Sequence, residues 1–365
     1  MLKDLKIDWF LFLRFIAAVM VIRQHVEFDH PKLFFQNQNW GWLLGGYNNS
    51  GTQAVIFFFC LSGYLMTKVC LAGKYNLDTR GILNFWFNRV KRLIPLYYVV
   101  CIISLLVGFR YILEPFEYNV PRLVKIFTLS YDGSFPFNQV IWTVGIEMLF
   151  YLFCPFLFLL YRPIQKSKIL SVSVFMISIL SFSWGLSLAF PLQVVSSFVE
   201  FLPIFWTGTA SYLVISHLPK AKSKPFNLPI VSIAAILVVI ALMLPWKEFL
   251  SFWNLDYKLG ISLVTIFFIA TKEVFDPEYR PQKNIFNQLG LLSLGIYFWH
   301  ILILSKLKLL FFNSLVISFG STKSYYIIWL ITIILSIIVA QITFILVEIP
   351  AAKWLDRHKP KFLDN

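Results

Sequence analysis

The chain has 365 residues, of which 58% are hydrophobic and only 14% charged, with a mean hydropathy of +0.73. This balance excludes an ordinary water-soluble domain and marks a polytopic membrane protein. The net charge of +14 is what basic, topology-setting loops would produce, so no nucleic-acid partner is expected.

In chain order, candidate spans run 9–29, 52–71, 93–113, 138–161, 169–190, 194–215, 227–245, 257–271, 285–305 and 324–347. Each is long enough to cross a hydrocarbon core of about 30 Å, although the eighth is short. The expected fold class is therefore all-α: a polytopic helical bundle of about ten transmembrane helices. The first run is too long for a cleaved signal peptide and carries Arg14 within it. With the N-terminus inside, 21 of the 32 Lys and Arg residues fall on inner segments and nine on outer ones, while Arg14 and Arg23 are intramembrane. That bias places both termini in the cytoplasm. A transmembrane domain over 1–350 and a short, solvated basic tail over 351–365 follow. The segment Tyr111 to Asn138 is the longest outer connection and is expected to contribute to an acceptor site. Cys60, Cys70, Cys101 and Cys154 lie in or beside apolar runs without metal-ligand spacing, so neither a metal site nor a disulfide framework is expected.

Polar residues inside apolar runs are costly and point to function. Arg14 and His25 are eleven positions apart, about three turns plus roughly 20°, so they share one face some 16 Å apart along the axis. Arg23, nine positions from Arg14, points to the opposite face. With the orientation above, Arg14 lies near the cytoplasmic end, His25 near the outer end, Glu147 near mid-membrane and His300 in the outer third of its span. An imidazole near a carboxylate or hydroxyl suits proton abstraction from an acceptor. Packing roles compete with this reading: histidines often serve as hydrogen-bonded core residues, Arg14 could snorkel, and Glu147 could pair with an arginine. Ser62-Gly63 would allow close approach of a ligand or of another helix. The run Phe85 to Tyr97, with Arg89, Lys91 and Arg92 among aromatics, could hold a nucleotide pyrophosphate, or could simply be a topology signal at the entrance to the third span.

Taken in order, these stretches resemble the acyltransferase family 3 membrane proteins. Arg14 and His25 match that family's basic-x10-His pair, and 58–65 resembles its Phe-Phe-x-Leu-Ser-Gly-Phe-Leu segment. Arg89, Arg92, Pro95 and Tyr97 match its basic-Pro-Tyr stretch. Trp142, Thr143, Glu147, Phe150 and Tyr151 match its Trp-Ser/Thr-x3-Glu-x2-Phe-Tyr segment. Leu289-Gly290, Ser293, Tyr297 and His300 resemble its Leu-Gly-x2-Ser-x3-Tyr-x2-His stretch, and Glu348-x-Pro350 its final Glu-x-Pro. The similarity covers nearly the whole chain. Gly295 and Cys60 depart from the usual pattern, and no appended hydrolase-like domain is seen. Final transfer is thus expected within the membrane domain or on a separate partner.

The resemblance implies O-acylation, foremost O-acetylation, of a cell-surface or exported polysaccharide such as O-antigen or exopolysaccharide. Cytoplasmic acyl-CoA, foremost acetyl-CoA, would be the donor substrate, and no permanently bound cofactor is expected. The expected location is the inner or plasma membrane, with lipids, a glycan or lipid-linked glycan acceptor, and a second copy of the chain as conceivable partners. His25, Arg14 and Glu147 are the catalytic candidates; Arg89, Arg92, Ser62 and Gly63 are the acyl-CoA-binding candidates; Trp142, Tyr297 and His300 are supporting. An acyl-His relay is an alternative use of His25. The rival readings are a proton-coupled transporter or flippase of a glycan precursor, and an inactive assembly partner.

Overall fold

A computed structural model describes residues 7–27, 50–107, 116–129, 138–183, 193–221, 227–244, 257–276 and 283–363. Every regular element among these is helical. The elements are α1 (Trp9–Glu27), α2 (Ser50–Leu71), α3 (Thr79–Val107), α4 (Phe116–Phe127), α5 (Trp142–Ile164), α6 (Lys168–Ser183) and α7 (Gln193–Ile215). They continue with α8 (Asn227–Met243), α9 (Tyr257–Phe275), α10 (Ile285–Leu291), α11 (Ser293–Phe319), α12 (Ser321–Thr343) and α13 (Ile349–Arg357). A 3-10 turn, Gln139–Ile141, leads into α5, and a π-helical stretch, Phe344–Glu348, joins α12 to α13.

Helix α1 is apolar all round because it is buried on two sides. One face, with Leu13, Ala17 and Val21, packs into the main core against α2. The other, with Ala18, Ile22 and Val26, packs on Ile296, Leu304, Tyr325 and Ala340 of α11 and α12. Its start is fixed by Asp8, whose Oδ1 accepts from the Phe10 and Leu11 amides at 3.0 and 3.2 Å. The Asp8 amide donates to Asn287 Oδ1 at 2.7 Å, tying this cap to α10.

Helix α2 is the hub, packed on α1, α7, α9 and α5. It meets α7 at backbone distance: a Cβ on Gly63 would stand 2.5 Å from the Phe205 carbonyl oxygen, and Gly208 abuts the Cys60 carbonyl in the same way. Beside this crossing Phe205 stacks on Phe59 and Phe150, at centroid distances of 4.6 and 4.2 Å. The periphery carries large exposed apolar side chains such as Leu160, Ile169, Ile236, Leu310 and Ile338, a surface suited to hydrocarbon.

Six helices among the described residues are long and apolar enough to cross a membrane: Trp9–Val26, Ser50–Leu71, Thr79–Val107, Gln139–Ile164, Ser293–Phe319 and Lys323–Arg357. Three shorter apolar helices, Lys168–Leu180, Phe201–Ile215 and Pro229–Met243, accompany them. Several boundaries differ from the sequence expectation. Helix α3 begins at Thr79, so Arg89, Lys91 and Arg92 lie inside it rather than at its entrance. The ninth run breaks at Leu292 into α10 and a 27-residue α11, which carries Lys306 and Lys308 within the helix. Hydropathy windows stop at charges, whereas backbone hydrogen bonding continues through long side chains whose stems are apolar. The basic stretch after Pro350 completes α13, is largely exposed, and is linked to α3 by Lys91–Asp356 at 2.7 Å, with Leu363 buried beyond it. Of the segment Tyr111 to Asn138, the structure describes 116–129, which holds α4, and Asn138; the rest lies outside the described residues.

Candidate active site

Two cavities meet inside the bundle. The narrower, of about 50 Å³, is lined by Arg14, Phe58, Ser62, Glu147, Ser293 and Tyr297, among others. The wider, of about 580 Å³, is lined by Gln24, His25, Gln139, Trp142, Tyr297 and Lys308, among others. Val55 and Tyr297 line both, so they form the partition between them. Arg14 and His25 thus sit on the same side of α1, one in each cavity, as the helical spacing requires.

Around the narrow cavity, Glu147 Oε1 accepts from the Tyr151 hydroxyl in a very short hydrogen bond and from Ser62 Oγ at 3.5 Å. The i, i+4 spacing of Glu147 and Tyr151 on α5 makes the first contact local. Arg92, Glu147, Tyr151 and Arg89 are all within electrostatic reach of Arg14. Three cations therefore gather beside two carboxylates, Glu147 and Glu348, among the described residues, a cationic excess suited to an anionic ligand. Arg89 is buried, its guanidinium 5.4 Å from the Phe85 ring centroid and 5.7 Å from that of Tyr151, with Nη1 3.2 Å from Met66 Sδ. Arg92 is exposed and also lies within reach of Glu348, at the end of the π-helical stretch. Such stretches recur at functional sites. Gly63 is not brought to this cavity. It faces the α7 backbone, so the place expected for a ligand is a helix crossing, while its neighbour Ser62 faces the cavity.

Around the wide cavity, the His25 and His300 ring centroids are 5.2 Å apart, tilted by 44°. His300 is fully buried; its Nδ1 lies 2.6 Å from the Tyr297 carbonyl oxygen, to which it donates. That bond leaves Nε2 as the acceptor nitrogen, and it has no hydrogen-bond partner among the described residues. The Tyr297 hydroxyl is 3.1 Å from Thr143 Oγ1 and donates to the Val140 carbonyl at 3.2 Å, which fixes the partition. Trp142 lies 5.4 Å from Phe201, centroid to centroid. Lys308 donates to the His25 and Val26 carbonyls at 3.1 and 3.3 Å, a cation on the orphan carbonyls ending α1.

Sequence reasoning missed Lys308 by counting it as a loop charge. The signal was a lysine four positions past Leu304 in a still-apolar run. It also gave Tyr151 no role beyond its motif position.

The chain matches the acyltransferase-domain family over residues 7–345. It belongs to the acyltransferase 3 family. Its relatives include the peptidoglycan O-acetyltransferase OatA of Listeria monocytogenes, 26% identical over 325 residues, which cover 79% of this chain and 48% of the relative. The O-acetyltransferase OatA of Staphylococcus aureus is 26% identical over 348 residues, covering 86% of this chain and 53% of that protein. The chain thus spans about half the length of these curated relatives. No solved structure matches it.

Proposed function

We propose that this acyltransferase 3 family member is a multi-pass membrane O-acyltransferase. It moves an acetyl group from cytoplasmic acetyl-CoA to a hydroxyl of a cell-envelope glycan. The observation that carries this reading is the pair of cavities abutting at Tyr297, one with Arg14 and Glu147, the other with His25. The names of the two relatives support acetyl as the group and a wall glycan as the class of acceptor. The lysine and arginine bias supports a cytoplasmic Arg14 end.

The roughly 16 Å axial separation of Arg14 and His25 gives them different tasks. Arg14, Arg89 and Arg92 hold the anionic part of the donor, and the extended thiol arm of CoA passes inward. Glu147, held by Tyr151 and Ser62, keeps the arginine side chains in register. His25 takes the proton of the acceptor hydroxyl as its oxygen attacks the thioester carbonyl carbon. The Tyr297 hydroxyl, whose one proton rests on the Val140 carbonyl, turns that proton to the oxyanion as it forms. Collapse of the tetrahedral intermediate breaks the C–S bond, and the imidazolium returns its proton to the departing thiolate. His300, with Nδ1 tied to a carbonyl, orients the His25 ring.

Mass spectrometry of envelope glycans from cells with and without the gene tests this reading. Loss of an acetyl increment from one glycan on deletion is expected. Unchanged acetylation together with a precursor trapped on one side of the membrane would instead identify a transporter.

A further inference from the structure

We propose that the wide cavity is the acceptor site and takes an uncharged or anionic oligosaccharide segment, stacked against Trp142 and Phe201. This rests on the acyltransferase reading above and names the class of ligand that faces His25. A volume of about 580 Å³ lies within the roughly 300–1,000 Å³ usual for small-molecule sites and admits more than one sugar ring. Its wall combines the two aromatic rings with hydrogen-bonding side chains that carry no charge, Gln24, Gln139 and Ser305. Apolar ring faces beside amide and hydroxyl groups match a sugar, which presents C–H faces and peripheral hydroxyls. No carboxylate lines the cavity among the described residues, and Lys308 is its ammonium. An amino sugar bearing a free ammonium would therefore meet like charge and no partner, which selects against it.

Lys308 also positions His25. By holding the His25 and Val26 carbonyls at 3.1 and 3.3 Å it fixes the last turn of α1, and with it the imidazole that faces the sugar. It is a positioning residue.

The test reads occupancy without needing catalysis. Ser305 is exposed on the cavity wall, and the four native cysteines are buried, so Ser305→Cys gives a selectively labelled thiol in the full chain. In reconstituted protein, chitotetraose or cellotetraose is expected to slow maleimide labelling of that thiol several-fold. The fully deacetylated chitosan tetramer is expected to leave the rate unchanged. Adding Trp142→Ala, or Gln139→Leu at an exposed side chain that the fold does not need, is expected to abolish the protection. Protection by neither neutral tetrasaccharide, or equal protection by the chitosan tetramer, overturns the assignment. Protection in a protein that never consumes acetyl-CoA would leave the cavity assignment standing and remove the acyltransferase reading alone.

Discussion

Tyr297 is the residue on which the two halves of the site turn. It lines both cavities, its hydroxyl is fixed by Thr143 and the Val140 carbonyl, and its own carbonyl fixes the His300 tautomer. Tyr297→Phe keeps the ring and the partition but removes the donor. Acetyl transfer should fall by about 10²–10³-fold, the usual cost of one oxyanion donor, with little change in the apparent affinity for acetyl-CoA. Steady-state kinetics of the reconstituted variant would check this, and an unchanged turnover would remove Tyr297 from the chemistry. Arg92, exposed and close to Arg14, should behave in the opposite way: Arg92→Ala should weaken acetyl-CoA binding while sparing turnover at saturation. At this scale the motif residues were legible as types and spacings. Arg14 and His25 shared a face by arithmetic alone. What spacing could not convey was contact between helices: that Tyr151 of α5 would flank Arg89 of α3, and that Lys308 would reach back to α1.

The helices position these residues through close crossings rather than through strong local signals. The α2–α7 crossing depends on Gly63 and Gly208, where backbone meets backbone. Gly63→Leu would push a side chain into the Phe205 carbonyl and separate the stacked Phe59, Phe205 and Phe150 rings. A loss of about 1–3 kcal/mol is expected, read as a lowered melting temperature in detergent, and an unaltered melting temperature would contradict the crossing. Ser62, one position earlier, tolerates change structurally because it faces the narrow cavity. Sequence alone left ligand approach and helix packing open for the pair; the structure divides the two roles between neighbours. Element boundaries were the least legible feature. Helix α3 starts fourteen residues before the run counted as a span, and the π-helical stretch before Glu348 has no sequence signature.

Across the whole molecule, composition was enough for the class, an all-helical membrane bundle, because 58% hydrophobic content leaves no other solvent for the exposed apolar belt. The number of crossings was less legible: ten apolar runs correspond to six long apolar helices, three shorter ones and α9 among the described residues. Short apolar helices packed inside a bundle and short membrane spans look alike in sequence. The arrangement as a whole makes one demand, that thioester consumption and glycan acetylation depend on the imidazole at the end of α1. The direct test is turnover of acetyl-labelled acetyl-CoA by the reconstituted full chain supplied with envelope glycan. Wild-type protein should release free CoA thiol and place the label on glycan oxygen. His25→Ala, inserted and folded, should lose about 10²–10⁴-fold of that rate. A wild-type rate in His25→Ala, or no thioester consumption by the wild type, would contradict the account.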